Sequence, residues 1–145
     1  MNRYVLGLLA TVALAGVVVA EEKADADLAK IQGAWVLTGL EKQGETIPAP
    51  EGAGTFIFGK DKKLVMKEKG KADKEGTFTM DASKNPKELD LIGPKGKEKE
   101  IMHTIYQLDG DTLKLAFSAE GPKGERPTVF DSKKAAILIL KRQKP

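Results

Sequence analysis

The sequence predicts an all-β protein, an antiparallel meander of about eight short strands that closes into a small barrel with a short N-terminal helical turn. Apolar and polar residues alternate with a period of two, as in Trp35 to Leu40 and Lys87 to Ile92. Gly, Pro, Asn and Asp separate these runs, and the connections are too short for helical crossovers. Neighbouring strands must therefore be antiparallel, and closure is favoured because a barrel has no free edge strand.

Residues 1–20 are typical of a secretory signal peptide. Arg3 supplies the positive charge, an apolar run extends from Val5 to Val19, and Ala20 precedes the charged pair Glu21-Glu22. The alternative is a membrane anchor, but as a helix this run spans roughly 22 Å, against about 30 Å for a bilayer core. We therefore expect cleavage before Glu21, a single domain over 21–145, no stable membrane insertion after cleavage, and a secreted or periplasmic location.

The charge pattern and the absence of cysteine exclude several classes of protein. The 24 Lys and Arg residues are interleaved with 21 Asp and Glu residues, which is typical of a soluble surface and not of a nucleic-acid-binding groove. The chain has no cysteine, so disulfides, thiolate metal sites and thiol catalysis are excluded. An exported chain without disulfides fits a bacterial envelope or extracellular space.

The elements follow one another at short intervals. Asp27 is predicted to cap a single helical turn, Leu28 to Gln32, which Gly33 ends. The predicted strands after it are Trp35 to Leu40, Thr55 to Phe58, Lys63 to Lys69, Thr77 to Asp81, Lys87 to Ile92, Ile101 to Leu108, Thr112 to Phe117, Thr128 to Phe130 and Ala136 to Arg142. Residues 42–54 are predicted to be a turn and an irregular loop.

The Asp109-Gly110 dipeptide predicts a hairpin and fixes its register. With either Asp109-Gly110 or Gly110-Asp111 at its centre, even positions before the turn share a face with odd positions after it. The face that contains Tyr106 and Leu115 is the more apolar, so we expect it inside the barrel and His103 outside.

The inward positions predict a mostly filled interior. Large apolar residues occupy about two inward positions per strand, which is enough to fill a barrel of this height. Gly39, Thr104 and the Tyr106 hydroxyl are the small or polar exceptions, so a remaining cavity and a ligand are expected beside them. Arg126 follows a flexible loop and is the fourth candidate ligand-binding residue, at the barrel mouth; the alternative is a salt-bridged loop arginine.

Three stretches resemble a known family. They are Leu28-Ala29-Lys30-Ile31-Gln32-Gly33-Ala34-Trp35, then Tyr106-Gln107-Leu108-Asp109-Gly110-Asp111-Thr112-Leu113-Lys114-Leu115, then Glu125-Arg126-Pro127-Thr128 with Phe130. Together they resemble the secreted lipocalin-like domain of unknown function found chiefly in planctomycete bacteria, over about residues 26–143. The resemblance implies a barrel and export, and it implies no activity.

The wider lipocalin pattern implies how the barrel is closed. Gly33 and Trp35 match the start of its first strand, and Arg142 matches an arginine that packs over that tryptophan. In a closed meander the first and last strands are neighbours, so we expect the Arg142 guanidinium on the Trp35 ring. Unlike lipocalins, the chain has no cysteine, has short loops and lacks an evident C-terminal helix, which argues against a deep ligand cup.

The last strand is apolar on both faces, at Ala135-Ala136-Ile137-Leu138-Ile139-Leu140. One set must face the interior, and the other needs a cover because an exposed apolar strand aggregates. Leu28 and Ile31 of the helical turn are the predicted cover. The alternative is a homodimer contact through this strand.

No constellation of residues in the sequence predicts catalysis, a metal site or a cofactor. His103 is the only histidine, Asp109 and Asp111 are explained by turn chemistry, and the serines lie outside any nucleophile-elbow pattern. The predicted function is therefore an exported, non-enzymatic binding or interaction module that acts on an envelope protein through its surface or loops. The alternative is a carrier of a small apolar ligand inside the barrel, and a cavity below about 300 Å³ would favour the former.

Overall fold

The computed structural model describes residues 26–93 and 100–144, and the predicted signal peptide lies outside the described residues. Residues 26–31 form a short helix, and Gly121–Lys123 form a single 3₁₀ turn. The strands are β1 Gly33–Lys42, β2 Glu45–Pro48, β3 Thr55–Phe58, β4 Lys63–Lys67, β5 Lys74–Asp81, β6 Glu88–Ile92, β7 Ile101–Asp109, β8 Thr112–Ser118 and β9 Ala135–Arg142.

These strands form a closed antiparallel barrel. Strands β1, β3, β4, β5, β6, β7, β8 and β9 pair in that order, and β9 pairs back onto β1 from Trp35↔Arg142 to Glu41↔Ile137. The predicted barrel of eight strands with a helical turn before it is therefore confirmed. The register predicted for the Asp-Gly hairpin is also confirmed, because Tyr106 pairs with Leu115 across β7 and β8.

Strand β2 lies outside the barrel, in a stretch where the sequence predicts a turn and a loop. It pairs with the second half of β1, where Leu40 faces Ile47. The turn that joins them has Gln43 at φ 52° and Gly44 at φ 79°, the left-handed pair that two-residue hairpins favour. All four residues of β2 are exposed. Its sequence therefore lacks the alternation of apolar and polar residues that predicts a half-buried strand.

The predicted strand at Thr128 to Phe130 is wrong, because these residues lie in the long connection between β8 and β9 and pair with no strand. Phe130 instead packs on the outside of the barrel, against Ile105, Ala116, Ala135 and Ile137. Its apolar side chain therefore covers the wall and adds nothing to the sheet.

Phe130 is also the cover that the last strand needs. Leu140 and Leu138 of β9 face the barrel interior, while Ile137 belongs to the outer cluster beneath Phe130. Ile137 on the outer face of β9 is buried, as predicted, while the outward Ile139 is half-buried. The predicted cover is wrong. Leu28 and Ile31 pack with the inner core at the end of the barrel, because the helix closes that end and does not lie along the wall.

Large side chains fill the interior beneath the helix. Ile31 and Trp35 are completely buried, and the Trp35 Nε1 donates a hydrogen bond to the Ile31 carbonyl oxygen at 2.7 Å. Phe58 and Phe78 meet edge to face, with ring centroids 5.0 Å apart. Each large apolar side chain buried in this way contributes about 1.5–3 kcal/mol, so this end of the barrel is a packed core.

A β-bulge in β1 reverses one predicted side-chain direction. The register against β9 shifts between Leu37, which pairs with Leu140, and Gly39, which pairs with Ile139. Leu140 faces inward and Ile139 outward, so Gly39 faces outward and its predicted inward position is wrong. The extra residue of a bulge turns every later side chain to the opposite face.

Candidate functional site

An apolar cavity opens at the end of the barrel opposite the helix, where β4 leads to β5 and β6 leads to β7. Its volume is about 200 Å³. The residues that line it are Phe56, Leu64, Met66, Glu75, Gly76, Leu91, Ile92, Gly93, Glu100, Met102, Phe117, Pro122 and Leu138. We call it the open-end cavity.

The lining gives the open-end cavity its chemistry. Two methionines, Met66 and Met102, provide flexible and polarizable walls that adapt to different apolar shapes. Among the described lining residues, the charged ones are Glu75 and Glu100, and both are exposed. The cavity therefore offers apolar contact at depth and carboxylates only near solvent.

Thr104 and Tyr106 point into the barrel as predicted, but their polar groups are used by the protein itself. The Thr104 hydroxyl donates to the Leu89 carbonyl oxygen at 2.7 Å, and the Tyr106 hydroxyl donates to Asp27 Oδ2 at 2.7 Å. Neither residue lines the open-end cavity, and neither does Gly39. The open-end cavity therefore does not lie where a remaining cavity was predicted. Tyr106 instead lines a second pocket, an open groove of about 620 Å³ beside Lys87 and Phe130, whereas Thr104 and Gly39 line neither.

Asp27 is the partner that Tyr106 requires. The predicted capping role is wrong, because residue 27 lies inside the helix and its carboxylate points at the barrel. Only 6% of Asp27 is exposed, and Lys87 Nζ lies 2.8 Å from the same Oδ2 atom. This carboxylate therefore joins the helix to β7 and to the residue before β6.

Electrostatics fix the charge states of this cluster. Burial alone would raise the pKa of Asp27, but hydrogen bonds from Lys87 and Tyr106 outweigh it and hold that pKa below its usual value. Burial and the hydrogen bond to Asp27 raise the pKa of the Tyr106 hydroxyl, which stays protonated. Sequence could have signalled the cluster only through the inward hydroxyl of Tyr106, which must find a partner when buried.

Arg126 lies on the outer wall of the barrel, away from the mouth where it was predicted. Its Nε is 3.1 Å from Glu88 Oε1, its NH2 is 2.8 Å from Asp90 Oδ1, and its NH1 donates to the Thr104 carbonyl oxygen at 2.8 Å. The alternative of a salt-bridged loop arginine therefore describes its contacts. Binding of a ligand by Gly39, Thr104, Tyr106 or Arg126 stays a prediction.

His103 lies on the outer face, as the hairpin register predicted. Its Nδ1 is 3.1 Å from Asp90 Oδ1 and 3.1 Å from Arg126 NH2. Within 26–93 and 100–144, no group of three or more His, Asp or Glu side chains is arranged to hold a metal ion. No helix in the described ranges is both long and apolar enough to cross a membrane.

Gly33, Trp35 and Arg142 come together at the helix end, as predicted for barrel closure. The Arg142 Cζ lies 4.3 Å from the centroid of the Trp35 ring. Gly33 has φ 113° and a Cβ there would lie 3.3 Å from Arg142 NH1. A side chain at position 33 would therefore be strained and would crowd the guanidinium.

The comparisons with known proteins found no match for this chain among protein-family models, curated proteins or solved structures. The resemblance to the lipocalin-like domain therefore stays a prediction, and the functional argument depends on the site itself.

Proposed function

We propose that this chain is an exported, non-enzymatic binding module that engages a partner, such as an envelope protein, through the open end of its barrel and the surrounding loops. Most of the interior is filled by the chain's own side chains. The partner inserts one apolar group into the open-end cavity, and the loops contact the surface of the partner around that group.

The main support for this proposal is the volume of the open-end cavity. It measures about 200 Å³, whereas pockets that enclose drug-sized ligands measure about 300–1,000 Å³. An apolar cavity of about 150 Å³ already holds benzene. The space therefore suits one ring or one short alkyl group, which is the size of a single apolar side chain.

Methionine methyl NMR tests the proposal directly. Met66 and Met102 line the cavity, whereas Met80 packs against the core elsewhere and is an internal control. Titration with toluene, as a probe for one inserted ring, should shift the Met66 and Met102 signals and leave Met80 unchanged.

Leu138→Trp is the matched variant, because the larger ring occupies the cavity while both reporting methionines stay in place. It should abolish the toluene shifts, and the exposed substitution Val129→Trp should preserve them. Toluene shifts that are absent in the parent protein, or that persist in Leu138→Trp, would contradict the proposal.

A carrier of a small apolar ligand is the second candidate, and the apolar lining with its two adaptable methionines favours it. Native mass spectrometry of protein purified from its own source distinguishes the two. A stoichiometric co-purifying small molecule, lost in Leu138→Trp, would make ligand carriage the better proposal; bare protein favours insertion of a partner's group.

A further inference from the structure

Three atoms on the outer wall meet at distances that allow only two of their three contacts to be favourable. Asp90 Oδ1 lies 2.8 Å from Arg126 NH2, and His103 Nδ1 lies 3.1 Å from each of them. An imidazole nitrogen either carries a hydrogen and donates or carries a lone pair and accepts. Nδ1 therefore cannot accept from Arg126 and donate to Asp90 at the same time.

A neutral His103 can adopt the arrangement in which Nδ1 accepts from Arg126, whereas a protonated ring cannot. When Nδ1 carries no hydrogen, it accepts from Arg126, and Arg126 holds Asp90 as well. Protonation of the ring places hydrogens on both nitrogens, so Nδ1 then donates to Asp90 and stands as a cation beside the guanidinium. Asp90 can accept from both groups, but the hydrogen bond from Arg126 NH2 to Nδ1 is lost and two cations then stand side by side.

We propose that His103 is a pH-sensitive switch, which on protonation can no longer accept the hydrogen bond from Arg126, repels the guanidinium and so loosens the chain segment that Arg126 holds against the barrel. We call residues 124–134 the Arg126 segment. A histidine changes charge between pH 5 and 8, so the segment is held in neutral solution and released in mild acid. This proposal is independent of the open-end cavity.

The charged groups around His103 support this direction. Strand β6 presents Asp90 and Glu88, the segment itself presents Arg126, and the 3₁₀ turn packed against β7 carries Lys123. Protonation of His103 replaces a hydrogen-bond acceptor of Arg126 with a neighbouring cation, and Arg126 then keeps only its contacts with Asp90, Glu88 and the Thr104 carbonyl oxygen.

Release of the Arg126 segment would change the surface of the barrel. Phe130 lies within it and covers Ile105, Ala116 and Ile137 on the outer wall. As the segment loosens, this apolar surface becomes accessible. The switch would therefore control an interaction surface that is separate from the open end of the barrel.

A spin label placed on the Arg126 segment tests the proposal in the intact protein. The sequence contains no cysteine, so Val129→Cys gives a single labelling site at a residue that is 47% exposed. Ile47→Cys on β2 is the matched control, because Ile47 is 49% exposed and lies outside the segment. Lowering the pH from about 8 to 5, across the histidine range, should shift the label at 129 to its mobile component and leave the label at 47 unchanged.

His103→Gln removes the titration and keeps a side chain that can accept from Arg126. It should abolish the pH-dependent shift of the label at 129. Asp90→Asn removes a carboxylate that holds Arg126, so in that variant the label should already be mobile at about pH 8, the neutral end of the histidine range. The proposal would be overturned if the label at 129 in the parent did not respond to pH, or if it responded equally in His103→Gln. If His103→Gln does not fold, the Asp90→Asn variant decides: a label that behaves as in the parent would overturn the proposal.

Discussion

The Arg142 guanidinium carbon lies 4.3 Å above the Trp35 ring, where the last strand of the barrel meets the first. The same guanidinium donates from NH1 to the Gln32 carbonyl oxygen at 2.9 Å and from NH2 to the Lys30 carbonyl oxygen. Carbonyl groups at the end of a short helix have no partners within that helix. The Arg142 side chain therefore provides hydrogen-bond donors for the carbonyl groups at the helix end, and it also joins the last strand of the barrel to the first.

Arg142→Ala should lower the free energy of unfolding by about 1–3 kcal/mol, because it removes the cation–π contact and the hydrogen bonds to the helix end. Arg142→Lys should fall between the parent and Ala, since an ammonium keeps the charge but not the planar fork. Urea denaturation measures both, with the exposed neighbour substitution Lys141→Ala as control, expected within about 0.5 kcal/mol of the parent. An Arg142→Ala variant as stable as Lys141→Ala would show that the contact is not stabilising.

Asp27→Asn should cost about 1–3 kcal/mol of unfolding free energy, because it breaks a buried interaction with Lys87 and Tyr106. Tyr106→Phe keeps the ring and removes only the hydroxyl, so it isolates one of the two contacts. In a double-mutant cycle the two costs should not add, since both substitutions break the same hydrogen bond. Strict additivity would contradict a direct Asp27–Tyr106 interaction.

Asp27 should also make stability depend on acid pH. Its pKa is lower in the folded protein than its usual value, so the folded state favours the carboxylate. The stabilisation is present above the unfolded pKa of about 3.9 and is lost as the pH falls through the lower, folded pKa. Urea midpoints measured from neutral pH down to the onset of acid unfolding should fall more for the parent than for Asp27→Asn, and parallel curves would exclude this linkage.

The strands that alternate in hydrophobicity could be predicted from the sequence, and so could the register of the Asp-Gly hairpin. The pairing of Trp35 with Arg142 followed because a closed meander makes the first and last strands neighbours. Each of these features depends on local pattern or on topology. Local pattern is also why the inward position of Tyr106 was predicted correctly.

The features that could not be predicted depend on contacts between distant residues. Nothing in the sequence marks the bulge before Gly39, because the alternation of β1 is equally consistent with an unbroken strand. Asp27 is an ordinary helix-start residue until the fold places it beside Lys87 and Tyr106, which follow it by 60 and 79 positions. Residues 128–130 have the local pattern of a strand, but they lie in a loop whose Phe130 side chain covers the outer wall of the barrel. Their local pattern therefore predicted a strand that the fold does not contain.

Gly76→Ala should destabilise the barrel, because a Cβ at this position would collide with the carbonyl oxygen of Ile92 on the neighbouring strand. Backbone cannot move aside as a flexible side chain can, so we expect a cost of more than about 1 kcal/mol. Gly54→Ala is the control: Gly54 is more buried than Gly76, but the nearest atom to its Cβ would be 3.8 Å away, on Phe56. Thermal unfolding compares them, and equal midpoints would contradict the close approach of the two strands at Gly76.

Phe130→Ala should uncover the outer face of β7, β8 and β9. The side chain is half-buried and packs against Ile105, Ala116 and Ile137, so its removal should cost about 1–3 kcal/mol, less than a fully buried phenylalanine. An apolar dye that fluoresces on exposed hydrophobic surface should bind the variant more strongly at neutral pH. Val129→Ala is the matched control, because the adjacent exposed side chain should change neither stability nor dye binding.

The same variant separates the covering role of Phe130 from the release of its segment. If Phe130 covers the wall and the Arg126 segment loosens in acid, the parent should gain dye binding as the pH falls from about 8 towards 5. In Phe130→Ala the outer wall is already exposed at neutral pH, so dye binding should increase much less over that range. A parent that gains no dye binding, while Phe130→Ala binds dye strongly throughout, would leave Phe130 as a permanent cover on β9 and count against acid release of the segment.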